Sequence, residues 1–221
     1  MRIGELTRSG FHPAPASELD ALRNHFSTHH YVRLDGLIEP WLLDRWSGWI
    51  EAAPFRRRQH HDAAYWGGAP PPVDEVMDTA DALGRMLFTV NDPALFRSIE
   101  QVSSCAAIGC YHGFVYRLGA ATGDRDRFHS DMNGNRLAAL SINLGRAPHR
   151  GGRIEMIEAE SGTILHALDN TVFGGAILFE LSEDLRHRIS GVEEGPPRTV
   201  LTGWFQRQPA YADWLAGARA K

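Results

Sequence analysis

The segment LRHRISGVEEGPPRTVLTGWF, residues 185–205, decides the fold of the C-terminal half. Apolar and polar side chains alternate on both sides of a Glu-Gly-Pro-Pro turn at 194–197, which predicts two antiparallel neighbouring strands. His187 lies on the apolar face of the first strand, whereas Arg198 and Thr202 share one face of the second. An arginine that faces inward cannot lose its charge, so it requires an anion.

Shorter alternating segments precede this hairpin and extend the β pattern towards the middle of the chain. Gly, Pro, Asp and Asn turns separate them, and they occur at 108–118, 136–145, 152–158, 163–168 and 171–180. Evenly spaced short strands with turn residues between them are typical of a sandwich or a barrel. We therefore expect a mainly β core over residues 108–207.

The N-terminal half has helical spacing instead. Apolar residues recur every three to four positions at 16–28 and 39–52, and residues 74–104 predict two helices broken near 91–93. A short alternating strand is expected at 31–37. The 221 residues are enough for one domain, so we expect a single domain at 1–221. It would comprise helical support at 1–107, the β core at 108–207 and a tail at 208–221, with the helices packed on the larger sheet.

The sequence FHSDM at 128–132 carries the first candidate for metal chemistry. On a strand, His129 and Asp131 point to the same side and can reach one metal ion. A second histidine, His187, would complete a set of two imidazoles and one carboxylate. Such a set leaves coordination positions open and suits non-haem iron(II).

Other histidines compete for this role. His60 and Asp62 have the same spacing, but they lie in a polar run without strand alternation, where a solvated loop or a loop near the substrate is favoured. His166 could act as the third ligand in place of His187, although no arginine follows it at a matching distance. A histidine on an apolar strand face is by default a satisfied core residue.

Composition excludes several classes of function. The formal net charge of −4 argues against nucleic acid as a partner. No apolar run is long enough to span a bilayer, and the N-terminus has no signal-peptide core. Cys105 and Cys110 lack a metal-binding spacing, which favours core thiols and a reducing cytoplasm. Lys221 is the only lysine, a bias that hints at a GC-rich bacterial genome.

A family resemblance joins these observations. The chain combines an HxD pair with a histidine at 187 and an arginine at 198, and these last two lie within HRISGVEEGPPRTVLTGWF. This combination is similar to that of the iron(II)/2-oxoglutarate-dependent oxygenase superfamily. The GW-aromatic end of the last strand resembles its prolyl-hydroxylase-like branch. The resemblance covers roughly residues 110–206. It implies a double-stranded β-helix (a cupin-like jelly roll) with helices behind the larger sheet.

The resemblance also implies roles for individual residues. His129, Asp131 and His187 match the iron ligands. Arg198 matches the residue that pairs with the distal carboxylate of 2-oxoglutarate. The remaining candidates for binding this co-substrate are Thr202, Tyr116 and Asn143. Where the family often has a tyrosine after the HxD strand, this chain has Ser141 and Asn143.

The implied activity uses Fe(II), 2-oxoglutarate and O2 to hydroxylate an unactivated C–H bond, with release of succinate and CO2. We expect a small-molecule substrate, such as an amino acid or a natural-product intermediate, and a monomer or homodimer. Two alternatives stay open: a prolyl-type hydroxylase of proteins or peptides, and a non-catalytic jelly-roll protein that binds a metal or ligand. The run Arg56-Arg57-Arg58 favours either an acidic substrate or a solvated face.

Overall fold

The computed structural model describes residues 1–59, 73–120 and 127–209. Its helices are α1 (Ala16–His29), α2 (Pro40–Ala52), α3 (Ala80–Val90) and α4 (Pro93–Ser103). Its strands are β1 (Gly4–Thr7), β2 (Gly10–Pro13), β3 (Tyr31–Leu34), β4 (Phe55–Gln59), β5 (Val73–Met77), β6 (Cys110–Leu118), β7 (Arg136–Asn143), β8 (Arg150–Gly151), β9 (Ile154–Glu158), β10 (Ile164–Leu168), β11 (Ala176–Glu180), β12 (Leu185–Ile189), β13 (Val192–Glu194) and β14 (Arg198–Gln206).

Most of the strands form a large sheet and a smaller layer, and β1 and β2 pair separately as a hairpin. The large sheet has seven antiparallel strands in the order β3-β11-β7-β14-β6-β5-β4. The smaller layer contains the three strands β10-β9-β12 and the pair β13-β8. Two facing antiparallel layers with crossed connections make a jelly roll, which confirms the predicted mainly β fold with helical support.

The N-terminal half contributes more β structure than its sequence indicates. The strand predicted at 31–37 forms as β3, but β4 and β5 also join the large sheet. Consequently the first helix predicted within 74–104 begins only at Ala80. The break near 91–93 is confirmed, because Asp92 caps α4 by accepting a hydrogen bond from the Ala94 N–H at 2.7 Å. The glycine and proline residues at 67–73 predict a loop, and this stretch lies mostly outside the described residues.

The large sheet packs on the helices through one face. Val115, Leu140, Leu201 and Phe205 point to this side and are fully buried together with Trp46 of α2. Each such side chain contributes roughly 1.5–3 kcal/mol by leaving water. The helices therefore cover the outer face of the large sheet.

The other face of the large sheet lines the interior of the jelly roll. On β14, Val200 and Trp204 point inward with Arg198, as the period-two pattern predicts. Ile154 and Met156 of β9 approach from the opposite layer. Within the described ranges, no helix is both long and apolar enough to span a bilayer.

Candidate metal centre

Main-chain pairing brings His129 and His187 together. The His129 N–H donates to the His187 carbonyl and the His187 N–H donates to the His129 carbonyl, both at 3.0 Å. Residues that exchange both hydrogen bonds across antiparallel chains point to the same side, and the ring centroids lie 4.6 Å apart. The pairing is a single bridge and not the regular strand expected around 128–132.

Asp131 completes a compact set of ligand atoms. One carboxylate oxygen (Oδ1) lies 3.8 Å from His129 Nε2, and the other (Oδ2) lies 3.3 Å from His187 Nε2. One ligand atom from each residue lies within 4.8 Å of the other two. Two imidazole nitrogens and one carboxylate oxygen fit iron(II) and leave coordination positions for further ligands.

The tautomer of His129 suits metal binding. Its Nδ1 lies 2.7 Å from the carbonyl oxygen of Arg127. A carbonyl only accepts hydrogen bonds, so Nδ1 carries a proton, and in the neutral imidazole that binds a metal the lone pair is on Nε2. Metal-binding histidines are commonly oriented in this way by a main-chain carbonyl.

Two side chains hold the carboxylate of Asp131. The indole N–H of Trp204 donates to Oδ2 at 2.7 Å, and the Arg136 guanidinium donates to Oδ1 at 2.9 Å. Strand alternation places Trp204 on the inward face of β14, but nothing in the local sequence indicated that its partner is Asp131. Nothing in the sequence indicated a role for Arg136 except that it follows Asp131 by five residues.

The electrostatics of the site keep Asp131 ionised. Burial raises the pKa of its carboxyl group. The hydrogen bond and charge of His187, the charge of His129 and the hydrogen bond from Trp204 together outweigh that effect. The pKa of Asp131 therefore lies well below its usual value, and the group is a carboxylate at neutral pH.

Arg198 is the second unusual feature of the interior. It is 1% exposed and donates hydrogen bonds to the hydroxyl groups of Tyr116 and Ser141, the latter at 3.2 Å. Among the described residues no carboxylate pairs with it, and its buried Nε has no hydrogen-bond partner. A buried guanidinium without a counter-charge is costly, so this position favours a bound anion.

The other predicted co-substrate residues lie near Arg198 but differ in their contacts. Thr202 is on the same face of β14, and its hydroxyl donates to the Leu140 carbonyl at 3.4 Å. The Asn143 side chain bonds the main chain of Gly145, accepting from its N–H and donating to its carbonyl, both at 3.2 Å. No contact with Arg198 is recorded for these two side chains, so their roles in binding stay predictions.

His166 does not join the cluster. In the part of the chain that the structure describes, His129, Asp131 and His187 form the one group of three or more potential ligands. His166 lies on β10, where its ring packs against Tyr31 at 4.8 Å. The pair at 60 and 62 lies outside the described residues.

Two residues of the arginine run, Arg56 and Arg58, have definite partners. Arg58 pairs with the buried Asp74 at 2.8 Å and lies over the ring of Phe114 at 4.3 Å. Arg56 pairs with Asp78 at 3.4 Å, on the exposed surface. Arg58 therefore belongs to the inner face of the large sheet and not to a solvated face.

The antiparallel jelly roll holds two histidines and a carboxylate in its interior, together with a buried arginine. These features define a class of jelly-roll proteins with a site suited to a single transition-metal ion. The family model described as the 2OG-Fe(II) oxygenase superfamily matches residues 113–206. Over residues 113–206, which contain the three potential metal ligands and Arg198, the chain therefore has the sequence pattern of a 2OG-Fe(II) oxygenase. The family uses Fe(II), 2-oxoglutarate and O2, which confirms the predicted cofactors.

Solved structures share the fold at low sequence identity. A prolyl-4-hydroxylase from Pseudomonas putida is 20% identical with a TM-score of 0.60, covering 86% of this chain and 100% of that one. A Trichoplax adhaerens prolyl hydroxylase, solved with a hypoxia-inducible-factor peptide fragment, is 12% identical with a TM-score of 0.60, covering 88% and 94%.

A non-haem alpha-ketoglutarate-dependent epimerase from nogalamycin biosynthesis is 10% identical with a TM-score of 0.62, covering 86% of this chain and 83% of that one. Comparison with curated proteins finds no significant sequence match.

Proposed function

We propose that this oxygenase hydroxylates an unactivated C–H bond of a small molecule, such as an amino acid or a natural-product intermediate. Succinate and CO2 would be the products from 2-oxoglutarate. The observation that carries the proposal is the convergence of ligand atoms from His129, Asp131 and His187 within 4.8 Å. We also propose that the chain is a single domain and acts in a bacterial cytoplasm as a monomer or homodimer. The free thiols of Cys105 and Cys110 support a reducing compartment.

The three converging residues would hold the iron. Nε2 of His129 is available because Nδ1 donates to a main-chain carbonyl. Asp131 supplies negative charge at neutral pH because its pKa is lowered. When bound, iron(II) with 2-oxoglutarate supplies the two-electron chemistry that places one oxygen atom of O2 on the substrate and the other in succinate.

Arg198 would bind the distal carboxylate of 2-oxoglutarate. Its planar guanidinium can form two parallel hydrogen bonds with a carboxylate, and a buried position strengthens them. Tyr116, whose hydroxyl accepts from Arg198, can donate its own proton to the same carboxylate. Thr202 would add a hydroxyl from the same face of β14. Asn143 would act by fixing the turn at Gly145.

Apolar side chains of the interior would keep water from the reacting atoms. The ring of Phe179 contacts the His187 imidazole at a centroid distance of 4.9 Å. Trp204 packs with Phe179 in the same interior cluster. Excluding water protects a reactive oxidising site and strengthens the electrostatic contacts within it.

A peptide substrate is the second candidate. The likeness to a prolyl-4-hydroxylase and to a prolyl hydroxylase solved with a peptide fragment favours it. The likeness to an epimerase from nogalamycin biosynthesis supports small-molecule chemistry on the same fold. A panel of free amino acids, natural-product intermediates and proline-containing peptides would separate the two, with succinate yield and mass gain of one oxygen atom as readouts.

Binding of the cofactors tests the proposal directly. We expect metal-free protein under anaerobic conditions to bind one equivalent of Fe(II) and then 2-oxoglutarate, measured by calorimetry, and to form succinate slowly after air is admitted. His187→Ala should lose iron binding, whereas His166→Ala, on β10 of the same three-stranded sheet, should retain it. Iron-loaded protein that binds no 2-oxoglutarate would contradict the proposal, and binding without succinate formation would favour the non-catalytic alternative.

A further inference from the structure

Asp131 has a feature that the proposed function does not require: both of its oxygens already accept hydrogen bonds from the protein. Trp204 donates to Oδ2 at 2.7 Å, and Arg136 donates to Oδ1 at 2.9 Å. Arg136 also donates from the same nitrogen to the Asp131 main-chain carbonyl at 3.2 Å. The carboxylate is therefore restrained at both oxygens and at its own backbone.

The two donors support each other. The Arg136 guanidinium lies over the indole ring of Trp204 at 3.6 Å, a distance typical of a stacked cation–π pair. Trp204 is anchored on β14, where its neighbour across the ladder is Ala139 of β7. The centre of its ring also lies 6.2 Å from the centre of the Phe114 ring. The stack thus connects Asp131 to the centre of the large sheet.

This connection compensates for weak local structure around Asp131. Residues 130–135 form no strand, and a single bridge at His129 precedes them. Without ladder hydrogen bonds, the backbone alone does not set the rotation of the Asp131 carboxylate. Side-chain donors on a rigid neighbouring strand can set it.

We propose that Trp204 and Arg136 are positioning residues that hold Asp131 as a one-oxygen ligand of the iron. The inference rests on the proposed function, because it takes Asp131 to be a ligand. A carboxylate can bind a metal through one oxygen or through both, and the second mode occupies one more coordination position. Whichever oxygen faces the iron, the other is retained by a protein N–H. Positions that 2-oxoglutarate and O2 require therefore stay open.

The decisive variant is Trp204→Phe, which retains an aromatic ring for stacking and removes only the N–H donor. We expect a 10- to 100-fold loss of iron affinity, the range typical of removing a partner of a metal ligand. We also expect a changed visible spectrum of the Co(II)-substituted protein, since the number and geometry of its ligands would change. Trp46→Phe is the matched control, because the buried indole N–H of Trp46 has no hydrogen-bond partner in the described structure.

Arg136 provides an independent series. Arg136→Met retains the length of the side chain but removes the donor, and we expect it to weaken Fe(II) binding to a similar degree. Arg136→Lys retains a charged donor and should restore part of the affinity, which a purely structural role would not require. This series also covers the case in which Trp204→Phe fails to fold.

The outcomes are distinguishable. If Trp204→Phe and Arg136→Met both bind Fe(II) with wild-type affinity and give the wild-type Co(II) spectrum, the positioning role is excluded. If wild-type protein and His187→Ala bind Fe(II) equally, the metal site itself is wrong, and the proposed function fails with it. Loss of affinity in both variants, with Trp46→Phe unchanged, supports the proposal.

Discussion

Replacing Gly152 with alanine tests whether Arg198 forms the anion site. Gly152 has a φ of +65°, and a Cβ at this position would lie 2.8 Å from Arg198 Cδ and 3.2 Å from His149 Nε2. A contact below 3 Å forces an atom to move. Arg198 is 1% exposed, so its stem is packed among other side chains and does not move into solvent. Gly152→Ala should therefore displace the guanidinium.

The expected effect has two parts. The left-handed backbone costs an alanine about 1–2 kcal/mol of folding free energy, which lowers the melting temperature by a few degrees in a chain of this size. Displacing the guanidinium weakens its charged hydrogen bonds to 2-oxoglutarate, worth roughly 1.5–3 kcal/mol. That range corresponds to about a 10- to 150-fold increase in the dissociation constant.

Gly162→Ala is the matched control. Gly162 has a φ of +70° and no atom within 4 Å of the added Cβ, so it carries the backbone cost without the contact. Both variants should melt at lower temperatures than the wild type, measured by circular dichroism, with Gly152→Ala at least as low as Gly162→Ala because of its added contact. Calorimetry with 2-oxoglutarate should detect weaker binding in Gly152→Ala alone. Wild-type affinity in Gly152→Ala, or equal losses in both variants, would refute the assignment of the anion site to Arg198.

Arg198, Asn143 and the two half-buried cysteines each give a further prediction. Arg198→Met should abolish the rise in melting temperature caused by 2-oxoglutarate. The metal-free variant should be as stable as the wild type or more stable, because an uncompensated buried charge is removed. A ligand-induced shift of wild-type size would contradict this. Asn143→Ala should lower the free energy of unfolding by about 1–3 kcal/mol in a urea titration, because the Gly145 N–H loses its acceptor; unchanged stability would count against the turn-fixing role. Burial raises the pKa of the Cys105 and Cys110 thiols, so their alkylation in native protein should be slow at pH 7 and accelerate as the pH rises through the raised pKa. Mass spectrometry would reveal the opposite result as equal labelling of native and unfolded chains.

Sequence alone was sufficient for the inner faces of β12 and β14, but the predicted pairing of these two strands with each other is wrong, because β12 pairs with β9 and β14 pairs with β6 and β7. Period-two alternation assigned His187 to the interior of β12 and Arg198 to the interior of β14, and the structure has both buried. This succeeds because one face of each strand is covered, so a shift by one residue would expose every apolar side chain. The same reasoning predicted the helices and the break before Pro93, where a capping aspartate and a proline mark the start of a helix.

Long-range pairing was beyond such reasoning. The sequence around β4 and β5 has no alternation that distinguishes an added sheet edge from a loop or a helix. They are strands because β5 pairs with β6 and β4 pairs with β5. The segment at 128–132 was expected to be a strand, whereas a single bridge to His187 places its histidine.

The sequence of this protein determined which residue types carry the chemistry and which side of each strand they occupy, because side-chain direction follows from local backbone geometry. Only the tertiary structure decided that Trp204 and Arg136 meet at Asp131, and that Arg198 lies beside Tyr116 and Ser141 with no carboxylate partner in the described chain. These contacts depend on the register between distant strands. Register is set by the packing of the whole sheet, and no local pattern contains it.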